Sequence, residues 1–150
     1  MLRFKMKETD DFKGLLPFFI ENGLEYSEDE EAPEGLVQCW KVVHGDENDE
    51  HLTAGLVLSK RAGEYVIDSV GVSKLFRKFK IGKILMDKAI KTVIEKGGKR
   101  IYIVAKVPEY FKKFGFVPIK REEAPDFSEC FSCEQFGNGC DPQVMRLDLE

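Results

Sequence analysis

The sequence contains no apolar run long enough to cross a bilayer. Its first residues, Met1 to Lys7, alternate charged and apolar side chains and lack the apolar stretch of a signal peptide. The expectation is a cytoplasmic protein with no membrane partner. Positive charge is not in excess either: the formal net charge is −4, which argues against a general nucleic-acid binder. There is no internal repeat and no second block of distinct composition, so residues 1–150 read as one domain, a monomer or homodimer. Cysteine is scarce until the end, with Cys39 alone before Cys130, Cys133 and Cys140.

What is present is a chain that is 43% hydrophobic and 33% charged, enough to bury a core. Charge is unevenly spread. Glu25, Glu28, Asp29, Glu30, Glu31 and Glu34 form one acidic block, and Asp46, Glu47, Asp49 and Glu50 a second. Lys74, Arg77, Lys78, Lys80 and Lys83 form a basic cluster. The acidic blocks are either solvated loops or a rim that attracts a cationic amine.

The apolar pattern gives the element order. Leu2, Phe4 and Met6 alternate with basic residues, as in a half-buried strand. Thr9 or Asp10 can cap a helix bearing Phe12, Leu15, Leu16, Phe19 and Ile20, which Pro17 is expected to break and Gly23 to stop. The acidic stretch 25–34 reads as a loop. Strands are expected over Leu36–Val43, Leu52–Ser59 and Tyr65–Val72, joined by polar turns at 45–50 and 60–63, as an antiparallel meander. Then the period changes. Ile81, Leu85, Ala89 and Val93, flanked by Ile84, Met86, Ile90 and Ile94, mark a wide apolar helix face that needs a sheet to cover it. Gly97 and Gly98 end that helix, and Ile101–Ala105 follows as a strand, which predicts a right-handed βαβ crossover with parallel strands. Pro108 opens a short helix, and Phe116–Ile119 and Val144–Leu149 are the candidate last strands. The fold class is mixed α/β (α+β).

The turn from strand 65–72 into the helix at Ile81 carries the first chemical signal. First-turn N–H groups of a helix have no partner within it and point outward with the positive end of the dipole. Such a terminus suits a phosphate. Gly82 lets a ligand approach the backbone, and Arg77, Lys78, Lys80 and Lys83 supply charge for a polyanion. An ordinary basic helix start is the alternative reading.

Residues 65–83, from Tyr65 through Gly71 to Lys83, resemble the acyl-CoA-binding motif of the GNAT superfamily, which ends in Arg/Gln-x-x-Gly-x-Gly/Ala. Arg77 and Gly82 match its first and last elements, and Lys80 stands at the first glycine. A second block, Tyr110 to Phe116, resembles the family's Tyr-x-Lys-x-Gly-Phe signature, at the expected spacing. The resemblance implies a GNAT fold: a mostly antiparallel, splayed sheet with a parallel βαβ crossover at the cofactor. It further implies an acetyl-CoA-dependent N-acetyltransferase that moves an acetyl group directly to a primary amine on a small metabolite, an amino acid or a protein terminus. Pantetheine would bond the backbone of Val70, Gly71 and Val72. The diphosphate would sit on the N–H groups of Arg77, Lys78, Phe79, Lys80, Ile81, Gly82 and Lys83, and Phe111 is a further cofactor-binding residue.

Direct transfer needs a base, because an amine is almost wholly protonated at neutral pH. Asp68, a carboxylate in mid-strand, is the first candidate, since an acidic residue here often serves through water in the family. An edge-exposed or purely structural Asp68 is the alternative, and His44 the alternate base. The family's tyrosine acid for the leaving thiolate falls on Phe111, which has no proton to give. Tyr110 is adjacent but about 100° round a helix, so either it is shifted into place or water is the acid. The family's asparagine after the second strand is absent, its stretch filled by Lys106, Val107 and Pro108. Paired aromatics at this position also occur in N-acetylglutamate synthases.

Within the segment 121–142, Cys130, Cys133 and Cys140 have the spacing Cys-x2-Cys-x6-Cys. Three thiolates can hold a zinc ion or another metal, with Asp141 or the distant Cys39 as a further ligand. Redox-active thiols or idle packing are the other readings. The competing function is therefore a non-catalytic acyl-CoA-binding module that responds to redox state or metal.

Overall fold

The computed structural model describes residues 3–24, 26–45, 50–105, 107–123 and 143–149. One seven-stranded mixed sheet organises them, in the order β1-β2-β3-β4-β5-β7-β6. β1 is Phe4–Thr9, β2 Leu36–His44, β3 His51–Arg61, β4 Glu64–Val72, β5 Arg100–Ala105, β6 Val117–Pro118 and β7 Gln143–Asp148. The helices are α1, Phe12–Glu21; α2, Ile81–Glu95; and α3, Pro108–Lys112. Strands β1 to β4 are antiparallel neighbours, β4 and β5 are parallel across α2, and β7 inserts antiparallel between β5 and β6.

The two larger cores lie on the two faces of the sheet. On one, Ile81, Leu85, Met86, Ala89 and Val93 of α2 pack on Trp40, Leu56, Leu58, Ile67 and Ile103. On the other, Phe12, Leu15, Leu16, Phe18 and Phe19 of α1 pack on Cys39 and Val57. The α2 face is narrower than its sequence suggests, because Ile84 and Ile94 remain 52% and 53% exposed.

Pro17 does not break α1, contrary to expectation: the helix runs unbroken from Phe12 to Glu21. A proline inside a helix costs about 3 kcal/mol. Five large apolar side chains buried from one helix, each contributing roughly 1.5–3 kcal/mol, outweigh that. Pro17 itself lies on the exposed face. The cap is Asp11, whose carboxylate accepts from the Gly14 N–H at 3.0 Å, rather than Thr9 or Asp10.

The β3–β4 turn is also tighter than residues 60–63. Only Ala62 and Gly63 lie in it, both with positive φ (53° and 77°). Such a pair forms a two-residue hairpin turn whose twist matches the strands. Lys60 and Arg61 therefore belong to β3, and Arg61 pairs with Glu64. The expected strand at Phe116–Ile119 shortens to Val117–Pro118.

Candidate active site

The site is built around an irregularity in β4. Val57 pairs with Ser69 and Leu58 with Ile67, so Asp68 is an extra residue, a β-bulge. A bulge bends its strand and raises its twist. The consequence is visible on the other side of β4. Its parallel pairing with β5 covers Tyr65↔Ile101, Val66↔Tyr102 and Ile67↔Ile103, then stops. Both strands continue: β4 stays paired to β3 as far as Val72, and β5 to β7 as far as Ala105. The sheet therefore splits from Asp68 onward, and the edge of β4 over Asp68–Val72 has no β5 partner. Val70, Gly71 and Val72 lie along that split.

Beyond Val72 the chain makes a 3-10 turn, Lys74–Phe79, before α2. The Ser73 N–H donates to the Thr53 carbonyl at 2.8 Å, and Arg77 Nε donates to the Val72 carbonyl at 3.3 Å, tying the turn to the strand end. Phe76 and Phe79 pack against Phe4 of β1, with ring centroids 5.6 and 5.3 Å apart. The turn is thus held by an aromatic cluster that the sequence did not announce. Lys80 caps α2 in the left-handed region, φ 57° and ψ 32°. This is the conformation a glycine would adopt without strain, so the lysine makes the turn of the motif's first glycine.

Ile81 and Gly82 are buried at the start of α2, while Lys80 and Lys83 are exposed. Lys83 pairs with Asp87 one turn on, at 2.8 Å. The first turn of α2 thus presents N–H groups and nearby cations beside the split. A Cβ placed on Gly82 would overlap the Tyr110 hydroxyl and lie 3.3 Å from a Val72 methyl. The missing side chain makes room for the Tyr110 hydroxyl. Phe111 points the other way, into the core, and is 8% exposed.

The opposite face of the bulge is polar. Both carboxylate oxygens of Asp68 are held by the Arg61 guanidinium, Nη1 to Oδ2 at 3.1 Å and Nη2 to Oδ1. The two side chains are 16% and 13% exposed. Arg61 also donates to the Glu34 carbonyl at 2.9 Å. Next to Asp68, Ser69 is hydrogen-bonded to the Tyr26 hydroxyl. Burial, opposed by that bond, pushes the Tyr26 phenol up to about 12. The acidic loop thus meets the bulge at both its ends, through Tyr26 and Glu34. Sequence reasoning missed Arg61 and Tyr26. A two-residue turn at Ala62–Gly63 would have brought Arg61 onto β4's neighbour strand.

Of the predicted residues, Val70, Gly71, Val72, Arg77, Lys78, Phe79, Lys80, Ile81, Gly82 and Lys83 fall on one continuous strand–turn–helix. Asp68 lies at its bulge, and Tyr110 reaches it from α3. His44, at the end of β2, touches the turn through Phe76, with its ring packed between Phe4 and Phe76. Cys130, Cys133, Cys140 and Asp141 lie outside the described residues, as do residues 46–49 of the second acidic block. Among the described residues no group of three His, Cys, Asp or Glu gathers to hold a metal. Cys39 is buried under α1, and burial, with Asp10 and Asp68 next, pushes its thiol up to about 11.

The same architecture occurs in solved structures. A GNAT-family acetyltransferase from Staphylococcus aureus Mu50 superposes with a TM-score of 0.74 at 20% identity, covering 99% of this chain and 100% of that one. An acetyltransferase from Streptococcus agalactiae gives 0.70 at 16% identity, over 97% and 98% of the two chains. N-acetylglutamate synthase from Neisseria gonorrhoeae, complexed with coenzyme A and N-acetyl-glutamate, gives 0.64 at 16% identity; this chain is covered completely and spans 35% of that protein. These likenesses are of fold. The model of the acetyltransferase (GNAT) family matches residues 10–116, well over half of the sequence, and the chain belongs to that family of acetyltransferases.

Proposed function

We propose that this acetyltransferase takes its acetyl group from acetyl-CoA and transfers it directly to a primary amine. The observation that carries the reading is the split between β4 and β5 from Asp68 to Val72, continuous with the first turn of α2. Unpaired strand edge suits the amides of a pantetheine arm, and a helix N-terminus flanked by Arg77, Lys80 and Lys83 suits a diphosphate. Bound there, acetyl-CoA supplies an activated acyl carbon and a thiolate leaving group.

The chain's own residues then divide the work. Asp68 sits where the sheet opens. An ionised carboxylate has about four acceptor positions, so bonding to Arg61 leaves it room to accept from an amine or from a water beside it. In this reading Asp68 takes the ammonium proton, and Arg61 fixes the carboxylate's orientation. Glu28, Asp29, Glu30, Glu31 and Glu34 raise the local concentration of a cationic acceptor. Because Phe111 stands at the usual acid's position, water protonates the thiolate.

Phe111 also favours a second reading, an acyl-CoA-binding module without turnover. One experiment separates the two. Acetyl-CoA raises the melting temperature under both. Only the enzyme releases free CoA when a panel of amines is added, and if none supports release, the transferase reading fails for these acceptors. Zinc or another metal at Cys130, Cys133 and Cys140 is a proposal from spacing alone. Metal analysis of anaerobically purified protein tests it, and freely alkylated thiols without metal end it.

A further inference from the structure

Tyr110 of α3 has no role in the acyl-CoA reading above. The ring of Tyr110 is held edge-on between Phe111 and Phe114, with centroids 5.1 and 5.3 Å away. That packing aims the hydroxyl at the first turn of α2, into the space above the Gly82 Cα. The same space borders Val72, the last residue of β4. Asp68 lies four residues back along the strand, which at the usual rise is about 13 Å. The hydroxyl is therefore at the helix end of the split, and the carboxylate at the other.

We propose that Tyr110 is a cosubstrate-binding residue, donating a hydrogen bond to the diphosphate of an acyl-CoA seated on the first turn of α2, and not the acid for the leaving thiolate. The inference rests on the acyl-CoA reading above. A thiolate released to an amine at the bulge is a strand-length away from this hydroxyl. A diphosphate on the α2 amides is next to it. Desolvation pushes the Tyr110 phenol above its ordinary range, which keeps it protonated as a donor. Gly82 fits the same account, since any side chain there would displace the hydroxyl.

The test uses calorimetric titration with CoA and turnover of two donors, acetyl-CoA and S-acetylpantetheine, which lacks the diphosphate. Tyr110→Phe is expected to weaken CoA binding about tenfold or more, the effect of losing a bond to a charged group. Turnover of S-acetylpantetheine is expected to stay at the wild-type level. Unchanged CoA affinity overturns the proposal. An equal fall in kcat for both donors also overturns it and makes Tyr110 the acid. A wild-type protein that binds no CoA removes the acyl-CoA reading and this one with it, whereas failure in the variant comparison alone leaves that reading standing. The placement of the hydroxyl has its own check, independent of ligand. Gly82→Ala should destabilise the wild-type fold and be tolerated better in a Tyr110→Phe background, because the Tyr110 ring carbon bearing the hydroxyl is 3.4 Å from the added methyl. Additive effects would contradict that placement.

Discussion

Arg61, opposite Glu64, reaches along the β3–β4 hairpin to Asp68, and its guanidinium holds both oxygens of the carboxylate. The pair is mostly withdrawn from solvent, and it spans the bulge that opens the sheet. Removing one partner leaves the other charge poorly solvated. Arg61→Ala is therefore expected to lower stability by about 1–3 kcal/mol, less than for a fully buried pair. Arg61→Lys should recover part of this, because it keeps the charge and loses the fork. Urea midpoints of the two variants measure the difference; equal losses would mean that the charge alone recovers nothing, and a lysine variant as stable as wild type would mean that the fork geometry is unimportant.

Asp68→Asn removes the proposed base without changing its shape. General-base catalysis contributes about 10²–10⁴-fold, so kcat should fall by at least tenfold with the KM for acetyl-CoA unchanged. Steady-state kinetics with a responsive amine check this. A variant with wild-type kcat would move the base elsewhere.

Lys80 holds a left-handed backbone conformation that costs an L-residue about 1–2 kcal/mol. Lys80→Gly relieves it, at the expense of a more flexible unfolded chain. The net expectation is a gain of up to about 1 kcal/mol in stability, together with weaker CoA binding from the lost charge. Lys80→Ala keeps the strain and loses the charge, so it should weaken binding with no gain in stability. Thermal melts with and without CoA separate the two effects.

These three sites show what local sequence could and could not convey. The strand–turn–helix was legible because its apolar period changes from two to about four residues between Val72 and Ile81, and because Arg77 and Gly82 carry a known motif. The bulge was not, since an extra residue in a ladder is defined by pairing with β3, which periodicity within β4 does not report. Pro17 misled for a related reason: helix propensity is local, whereas the burial of Phe12, Leu15, Leu16, Phe18 and Phe19 depends on the sheet. The insertion of β7 between β5 and β6 is likewise a long-range matter. Tyr110 was singled out for its neighbour's missing hydroxyl, but its direction depends on the packing of α3.

Tyr26 and Cys39 give an alkaline signature. Each has a folded pKa above its ordinary value, from 10.0 to about 12 for the phenol and from 9.0 to about 11 for the thiol. The unfolded chain loses these protons first. The stabilisation is thus full below pH 9 and is lost as pH rises, from 9 to 11 for Cys39 and from 10 to 12 for Tyr26. At about 1.4 kcal/mol per unit, Tyr26 accounts for up to about 2–3 kcal/mol. Denaturant melts across this range should show a shallower decline in Tyr26→Phe than in wild type. Parallel curves would contradict the burial that raises the Tyr26 phenol. At pH 8 Cys39 should also resist alkylation until the protein unfolds.

The proposed acyl-CoA lies along Val70–Val72 and on the first turn of α2. The most direct measurement is a titration of isotope-labelled protein with CoA, followed by backbone amide shifts. Saturable changes concentrated at Val70, Gly71, Val72, Ile81, Gly82 and Lys83 are the predicted result. Saturable changes that leave these amides unmoved, or no changes at millimolar CoA, would contradict it.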